Sequence, residues 1–195
     1  MDKIFIESIK VENGDVFNLE LHTERSSATI FDHFGVKKEI PFLKILSDYP
    51  NKKGLFKFRV LYSDSVIDHS LTPYNLKDKL TVLPIECDNL EYRYKYANRE
   101  VFDNLVQKRG ICDDVLIIKN GFVTDTSYGN ILFRLRGDNN LYTPDMPLLK
   151  GTKREFLLRK GLIKQRSVKF EELKDCEMVY MINAMIDYLP LEIKL

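Results

Sequence analysis

Short runs in which apolar and polar residues alternate, each ended by a turn signal, recur along the whole chain, with helical spacing confined to brief stretches between them. A chain patterned in this way has to be built on sheets with helices packed among the strands, a mixed α+β class. The first alternating run covers residues 3–11, Asn13-Gly14 supplies a hairpin turn, and an apolar pattern resumes over residues 16–21. Thr23 can cap a helix whose apolar face is Ala28, Ile30, Phe31 and Phe34, with Gly35 as its stop, and a second helix is predicted at residues 41–47. Residues 55–62, 65–71 and 81–85 read as strands, because β-branched and aromatic residues alternate there with charged ones. The polar stretch 87–92 is the predicted crossing between two domains, a smaller one over residues 1–89 and a second over 90–195. Beyond it, Val101, Phe102, Leu105 and Val106 have helical spacing and end at Gly110. A strand at 113–118 turns at Lys119-Asn120-Gly121 into 122–124, and residues 130–135 and 141–143 form a further hairpin. A helix from Gly151-Thr152 through Leu158 and strands at 163–168 and 178–182 close the predicted series.

Composition narrows the possible functions. A hydrophobic share of 44% is enough for a core, which excludes a disordered chain. Thirty Lys and Arg against 29 Asp and Glu leave a net charge of +1, so no general field gathers phosphate backbones or acidic membranes. Neither nucleic acid nor a membrane is expected as partner, and any anion has to be held by a local site. No apolar run approaches the roughly 20 residues of a spanning helix, and acids stand where a signal peptide has its apolar core; a cytoplasmic location is expected. Cys87, Cys112 and Cys176 are odd in number and far apart, and His22, His33 and His69 are scattered, so disulfides, a metal site and a His-dependent mechanism are not expected.

Four features carry possible chemistry. Lys95 lies in Tyr92-Arg93-Tyr94-Lys95-Tyr96, with Arg99 close by. Buried among those rings and charges, its amine would be partly neutral and able to act as nucleophile or base; on a strand surface it would be a snorkelling lysine. Asp125, in Val123-Thr124-Asp125-Thr126-Ser127-Tyr128-Gly129-Asn130, is either a carboxylate aimed into a cavity or part of an ordinary turn. Gly151-Thr152 opens a helix whose exposed N–H groups and dipole suit a phosphate, although such starts also bind only water. Arg25, three residues after His22, can reach the same anion if the fold allows it, and is otherwise a solvated charge.

These residues resemble the class IV aminotransferase family, pyridoxal-phosphate enzymes of fold type IV with a two-domain, D-amino acid aminotransferase-like α+β fold. The likeness covers essentially the whole chain, with a shortened N-terminal domain. It rests on an ordered set: Ile6-Glu7-Ser8-Ile9, Leu21-His22-Thr23-Glu24-Arg25, Lys95-Tyr96-Ala97-Asn98-Arg99, Asp113-Asp114-Val115-Leu116, Val123-Thr124-Asp125 with Asn130, Tyr142-Thr143-Pro144, Leu149-Lys150-Gly151-Thr152-Lys153-Arg154, and Ile182-Asn183-Ala184 before Pro190. The resemblance implies pyridoxal 5'-phosphate as cofactor. Lys95 matches the lysine that forms the Schiff base and moves protons, and Asp125 the acid that pairs with the pyridine nitrogen. Arg25, Thr152 and Lys153 match the residues that hold the phosphate, and Ala184 falls where a hydroxyl often adds a hydrogen bond. Arg59 aligns with a basic position facing the substrate carboxylate; as a residue of its segment it reads equally as a strand arginine on the outer sheet face. Asp125 stands where Glu is usual, Lys153 where Thr is common, and Ala184 lacks the hydroxyl.

The likeness is greatest to the family's lyase branch, which implies cleavage of a small-molecule amine, 4-amino-4-deoxychorismate, to 4-aminobenzoate and pyruvate in folate synthesis. Alternatives are a branched-chain or D-amino acid aminotransferase and a non-catalytic relative that kept the fold. A homodimer is expected, with aminodeoxychorismate synthase as a further partner.

Overall fold

The computed structural model describes residues 3–50 and 52–194. Its chain forms two compact units, Met1–Asn75 with Tyr94–Asn98, and Leu76–Arg93 with Arg99–Leu195.

The first unit contains β1 (Phe5–Glu12), β2 (Asp15–Val16), α1 (Leu19–Phe34), α2 (Phe42–Leu46), β3 (Leu55–Tyr62) and β4 (Val66–Pro73). Its antiparallel sheet has the order β2-β1-β3-β4. Strict alternation along β1 buries Phe5, Glu7, Ile9 and Val11 on one face. Phe5, Ile9 and Val11 join Phe58, Val60 and Tyr62 of β3, Ile30 of α1 and Phe42 of α2 in one core. The run expected to continue as strand over 16–21 is divided instead: β2 ends at Val16 and α1 starts at Leu19. Asn18 between them has φ 51, a left-handed conformation that extended backbone does not accommodate. At the other end of α1, Gly35 (φ 70) donates its N–H to the Phe31 carbonyl, the left-handed cap that glycine adopts without a Cβ penalty. The segment 94–98 returns to this unit through its backbone. The Ile6 N–H donates to the Lys95 carbonyl and the Ala97 N–H to the Ile4 carbonyl, both at 2.9 Å.

The second unit contains β5 (Leu80–Glu86), α3 (Glu100–Val106), β6 (Asp114–Lys119), β7 (Phe122–Thr126), β8 (Asn130–Leu135), β9 (Tyr142–Thr143), α4 (Thr152–Arg159), β10 (Lys164–Gln165), a 3-10 helix (Phe170–Asp175), β11 (Cys176–Ile182) and β12 (Leu189–Ile193). The strand order is β10-β9-β8-β11-β12-β5-β6-β7, and β7 also pairs with β8, so six strands close into a ring. Within the ring β6 is buried on both faces: Val115, Leu116 and Ile117 are all fully buried. Along β8, Ile131 and Phe133 enter a core with Val82, Leu116, Ile118 and Val123, while Leu132 between them packs with Leu157 of α4, Ile163 and Ile182.

Three expectations are displaced here. The strand predicted over 163–168 is only the two residues Lys164–Gln165. β12 lies beyond the last predicted strand; Pro190 is tolerated near its start, and Leu191, Glu192 and Ile193 pair in parallel with β5. The division expected at 89/90 falls elsewhere, since β5 pairs with β6 and β12 of the second unit and 94–98 belong to the first. Replacing Leu116 with Ala empties a fully buried place in the ring and is expected to lower the unfolding free energy by about 2–5 kcal/mol in urea denaturation.

Candidate active site

In the first unit a carboxylate occupies the core face of β1. Glu7 is 0% exposed and is met by two side chains of α1. Arg25 Nε donates to Oε1 at 2.9 Å, Arg25 Nη2 to Oε2 at 2.5 Å, and His22 Nδ1 lies 2.6 Å from the same Oε2. Burial alone would raise the Glu7 pKa, but the Arg25 charge and the His22 hydrogen bond outweigh it and hold the carboxyl at about 2. An ionised carboxylate only accepts, so His22 Nδ1 is the donor. Burial lowers the pKa of His22, opposed by Glu7 and reinforced by the charges of Arg25 and Lys95. Lys95 is half-buried and fixed through its carbonyl to Ile6, next to Glu7 in β1. Tyr62 of β3 adds a buried phenol whose pKa burial and the Glu7 charge push up.

Arg25 and Lys95 thus both act on His22. Arg59 pairs with Ser8 of β1, which faces away from Glu7, and so lies on the sheet face opposite Glu7; the Phe5–Tyr96 bridge sets Lys95 opposite Ile6, on that same face.

In the second unit Asp125 sits at the end of β7, where it pairs with Asn130 of β8, and is 4% exposed. Its Oδ1 accepts from Asn130 Nδ2 at 2.7 Å and its Oδ2 from the Leu149 N–H at 3.0 Å. Burial raises its pKa to about 6, moderated by those hydrogen bonds and by the charge of Arg154. Asn130 Nδ2 also reaches the Leu149 carbonyl at 2.8 Å, which ties Asp125 to the residues leading into α4. Gly151 follows from this close approach, since a Cβ there would stand 2.2 Å from Asn130 Oδ1. Arg154, 2% exposed, anchors α4 through Nη2 to the Pro144 carbonyl and Gln165 Oε1, both at 2.9 Å.

Thr152 is buried in the first turn of α4. Lys153 beside it pairs with Asp187. Ala184 lies in a turn whose Asn183 Oδ1 accepts the N–H groups of Met185 and Ile186, and whose Nδ2 donates to the Tyr128 carbonyl at 3.3 Å. Asp125, Thr152, Lys153 and Ala184 are thus gathered around one end of the ring. Sequence reading gave no role to Glu7, Asn130, Arg154 or Asp114. Glu7 carries a legible signal, a carboxylate at an inward position of an alternating strand. Asp114 does not: it is buried at the start of β6, and burial raises its pKa against the hydroxyls of Ser127 and Thr126. Among the described residues, no helix is long and apolar enough to cross a membrane.

Comparison with known proteins places the chain among relatives. The family model for amino-transferase class IV matches residues 91–192. A curated protein of Haemophilus influenzae, described only as uncharacterized, is 36% identical over 183 residues, which cover 92% of this chain and 96% of that one. The crystal structure of a proposed 4-amino-4-deoxychorismate lyase from Haemophilus somnus 129PT is 34% identical, with a TM-score of 0.82, over 95% of this chain and 98% of that one. A hypothetical aminotransferase from Mycobacterium tuberculosis, in its PLP-bound form, is 15% identical with a TM-score of 0.77, over 99% of this chain and 82% of that one, a likeness of fold. The chain belongs to the class IV aminotransferase family, and its fold is that of the fold type IV enzymes.

The shift at Asp125 sets a pH dependence. Its pKa is raised from 3.8 to about 6 in the folded chain, so its contribution to stability is complete below 3.8 and is lost as pH rises through about 6. In urea unfolding of the ligand-free chain, the stability of the wild type relative to Asp125→Asn is expected to fall between pH 3.8 and about 6 and to level off above.

Proposed function

We propose that the chain is a pyridoxal-phosphate enzyme that cleaves 4-amino-4-deoxychorismate to 4-aminobenzoate and pyruvate, acting in folate synthesis as a cytoplasmic homodimer that takes its substrate from aminodeoxychorismate synthase. The observation that carries the choice of reaction is the 34% identity, over 95% of the chain, to the proposed lyase from Haemophilus somnus.

The donor set suits the cofactor. Lys95 offers an amine and Arg25 a guanidinium, both acting on His22, and Asp125 is a buried carboxylate held against the start of α4. Asp125 titrates at about 6 by itself, close enough to a pyridine nitrogen for the two to share a proton as an ion pair. Arg25 and the first N–H groups of α4, at Thr152 and Lys153, are the groups that would hold a phosphate. When bound, pyridoxal phosphate supplies an aldehyde for an amine and a ring that takes up the electron pair left when a neighbouring proton departs.

Lys95 then has two tasks. Its amine would be the attachment point for the cofactor aldehyde and, when free, the base that takes the proton from the carbon bearing the substrate amine. The electron pair of that C–H bond becomes ring unsaturation, the C–O bond to the enolpyruvyl group breaks, and the departing enolpyruvate takes a proton and becomes pyruvate. Asp125 would be the group that holds a proton at the ring nitrogen. Arg59 is proposed to face the substrate carboxylate. Because the matching family model is that of aminotransferases, amino transfer to a branched-chain or D-configured keto acid is the second reading, with the same use of Lys95.

Purified protein mixed with 4-amino-4-deoxychorismate is expected to release 4-aminobenzoate and pyruvate without any added keto acid. Glutamate formation from amino acids plus 2-oxoglutarate, with no aminobenzoate, would overturn the lyase reading. Lys95→Ala is expected to abolish the visible absorbance of the bound cofactor and to slow turnover by about 10³-fold or more.

A further inference from the structure

Glu7 is costly where it stands. Alternation along β1 calls for an apolar residue between Phe5 and Ile9, and a fully buried carboxylate is unfavourable until its partners compensate. Packing of α1 on the sheet alone would be served as well by apolar side chains at positions 7 and 22, which makes the geometry of the network informative. Arg25 meets Glu7 by two N–H···O bonds, from Nε and Nη2 to separate oxygens, and such a fork fixes the plane of the guanidinium as one contact cannot. His22, buried beside it, braces the oxygen that Nη2 uses. Arg25 is the member of the network whose side chain reaches solvent, being 17% exposed where Glu7 and His22 are at 0%.

We infer that Glu7 and His22 are positioning residues: the imidazole orients the carboxylate, and the carboxylate holds the Arg25 guanidinium in the plane from which it meets a phosphate monoester. The inference rests on the reading of Arg25 as the group that holds the cofactor phosphate, and it adds what makes that arginine a fixed fork. The groups facing Glu7 are Arg25 and His22 from α1 and Tyr62 from β3, with Lys95 acting on His22. Burial keeps the His22 pKa below its ordinary value of about 6.5 and Arg25 keeps the Glu7 carboxyl ionised, so above that value the fork keeps one charge state.

Binding of pyridoxal phosphate and of pyridoxal, which lacks the phosphate, tests this by absorbance titration. The readout is the ratio of the pyridoxal Kd to the pyridoxal phosphate Kd. Glu7→Gln keeps the shape and removes the charge, and is expected to lower the ratio about tenfold while the pyridoxal Kd stays at its wild-type value. His22→Phe removes the donor to Glu7 and is expected to lower the ratio in the same direction, with His22→Gln, which restores a donor, recovering it; this pair decides the matter if Glu7→Gln does not fold. Wild-type ratios in Glu7→Gln and His22→Phe would overturn the inference. So would equal weakening of both ligands, which marks a packing role. Failure of the wild type to bind pyridoxal phosphate at all is a different result, which removes the cofactor reading itself and the inference with it.

Discussion

Closing a sheet into a ring requires its last strand to find its first, and in the second unit that junction is short: β7 meets β8 at Asp125 and Asn130. The two residues are paired through their side chains as well, at 2.7 Å, and the same Asn130 amide reaches the Leu149 carbonyl. One polar junction therefore closes the ring and sets where α4 begins. Gly151 is required because the Asn130 amide occupies the space of a side chain. Arg154, buried one turn on, holds the helix to Pro144 and Gln165, so its first N–H groups stay at the end of the ring where Asp125 lies. The carboxyl raised by burial is a consequence of the same closure, because water is excluded from the junction.

The first unit solves an opposite problem with the same means. Its buried carboxylate is kept strongly acidic, at about 2, because a guanidinium and an imidazole from one helix converge on it. Burial pushes both carboxyls up; what separates them is a cation in contact. Glu7 touches Arg25, whereas Asp125 feels Arg154 only as a minor influence among its hydrogen bonds. An acid titrating near neutrality is suited to sharing a proton, and one ionised at every working pH to holding a cation still.

Much of the framework was legible locally. Alternation marked β1 and β3, Asn13-Gly14 marked the first hairpin, and Gly35 marked the end of α1, since each depends on near neighbours and on backbone sterics. The start of α1 was misjudged because Asn18 breaks the strand by adopting a left-handed conformation, which its residue type permits but does not demand. β12 falls outside the predicted series, since the pairing of Leu191–Ile193 with β5 depends on a partner more than one hundred residues earlier. Lys95, Arg25 and Asp125 could be named as candidates from the order of motifs; that Arg59 lies on the sheet face opposite Glu7 could not, because it depends on strand register.

The sequence by itself determined the class of structure, the principal strands and helices, and the residue types available for chemistry, since these follow from periodicity, turn stereochemistry and composition. Only the tertiary structure decided that β7 closes on β8, that Glu7 is neutralised by α1, and that Asp125 loses its water. Those outcomes depend on desolvation and on contacts between residues far apart in the chain, and neither is written in any local pattern.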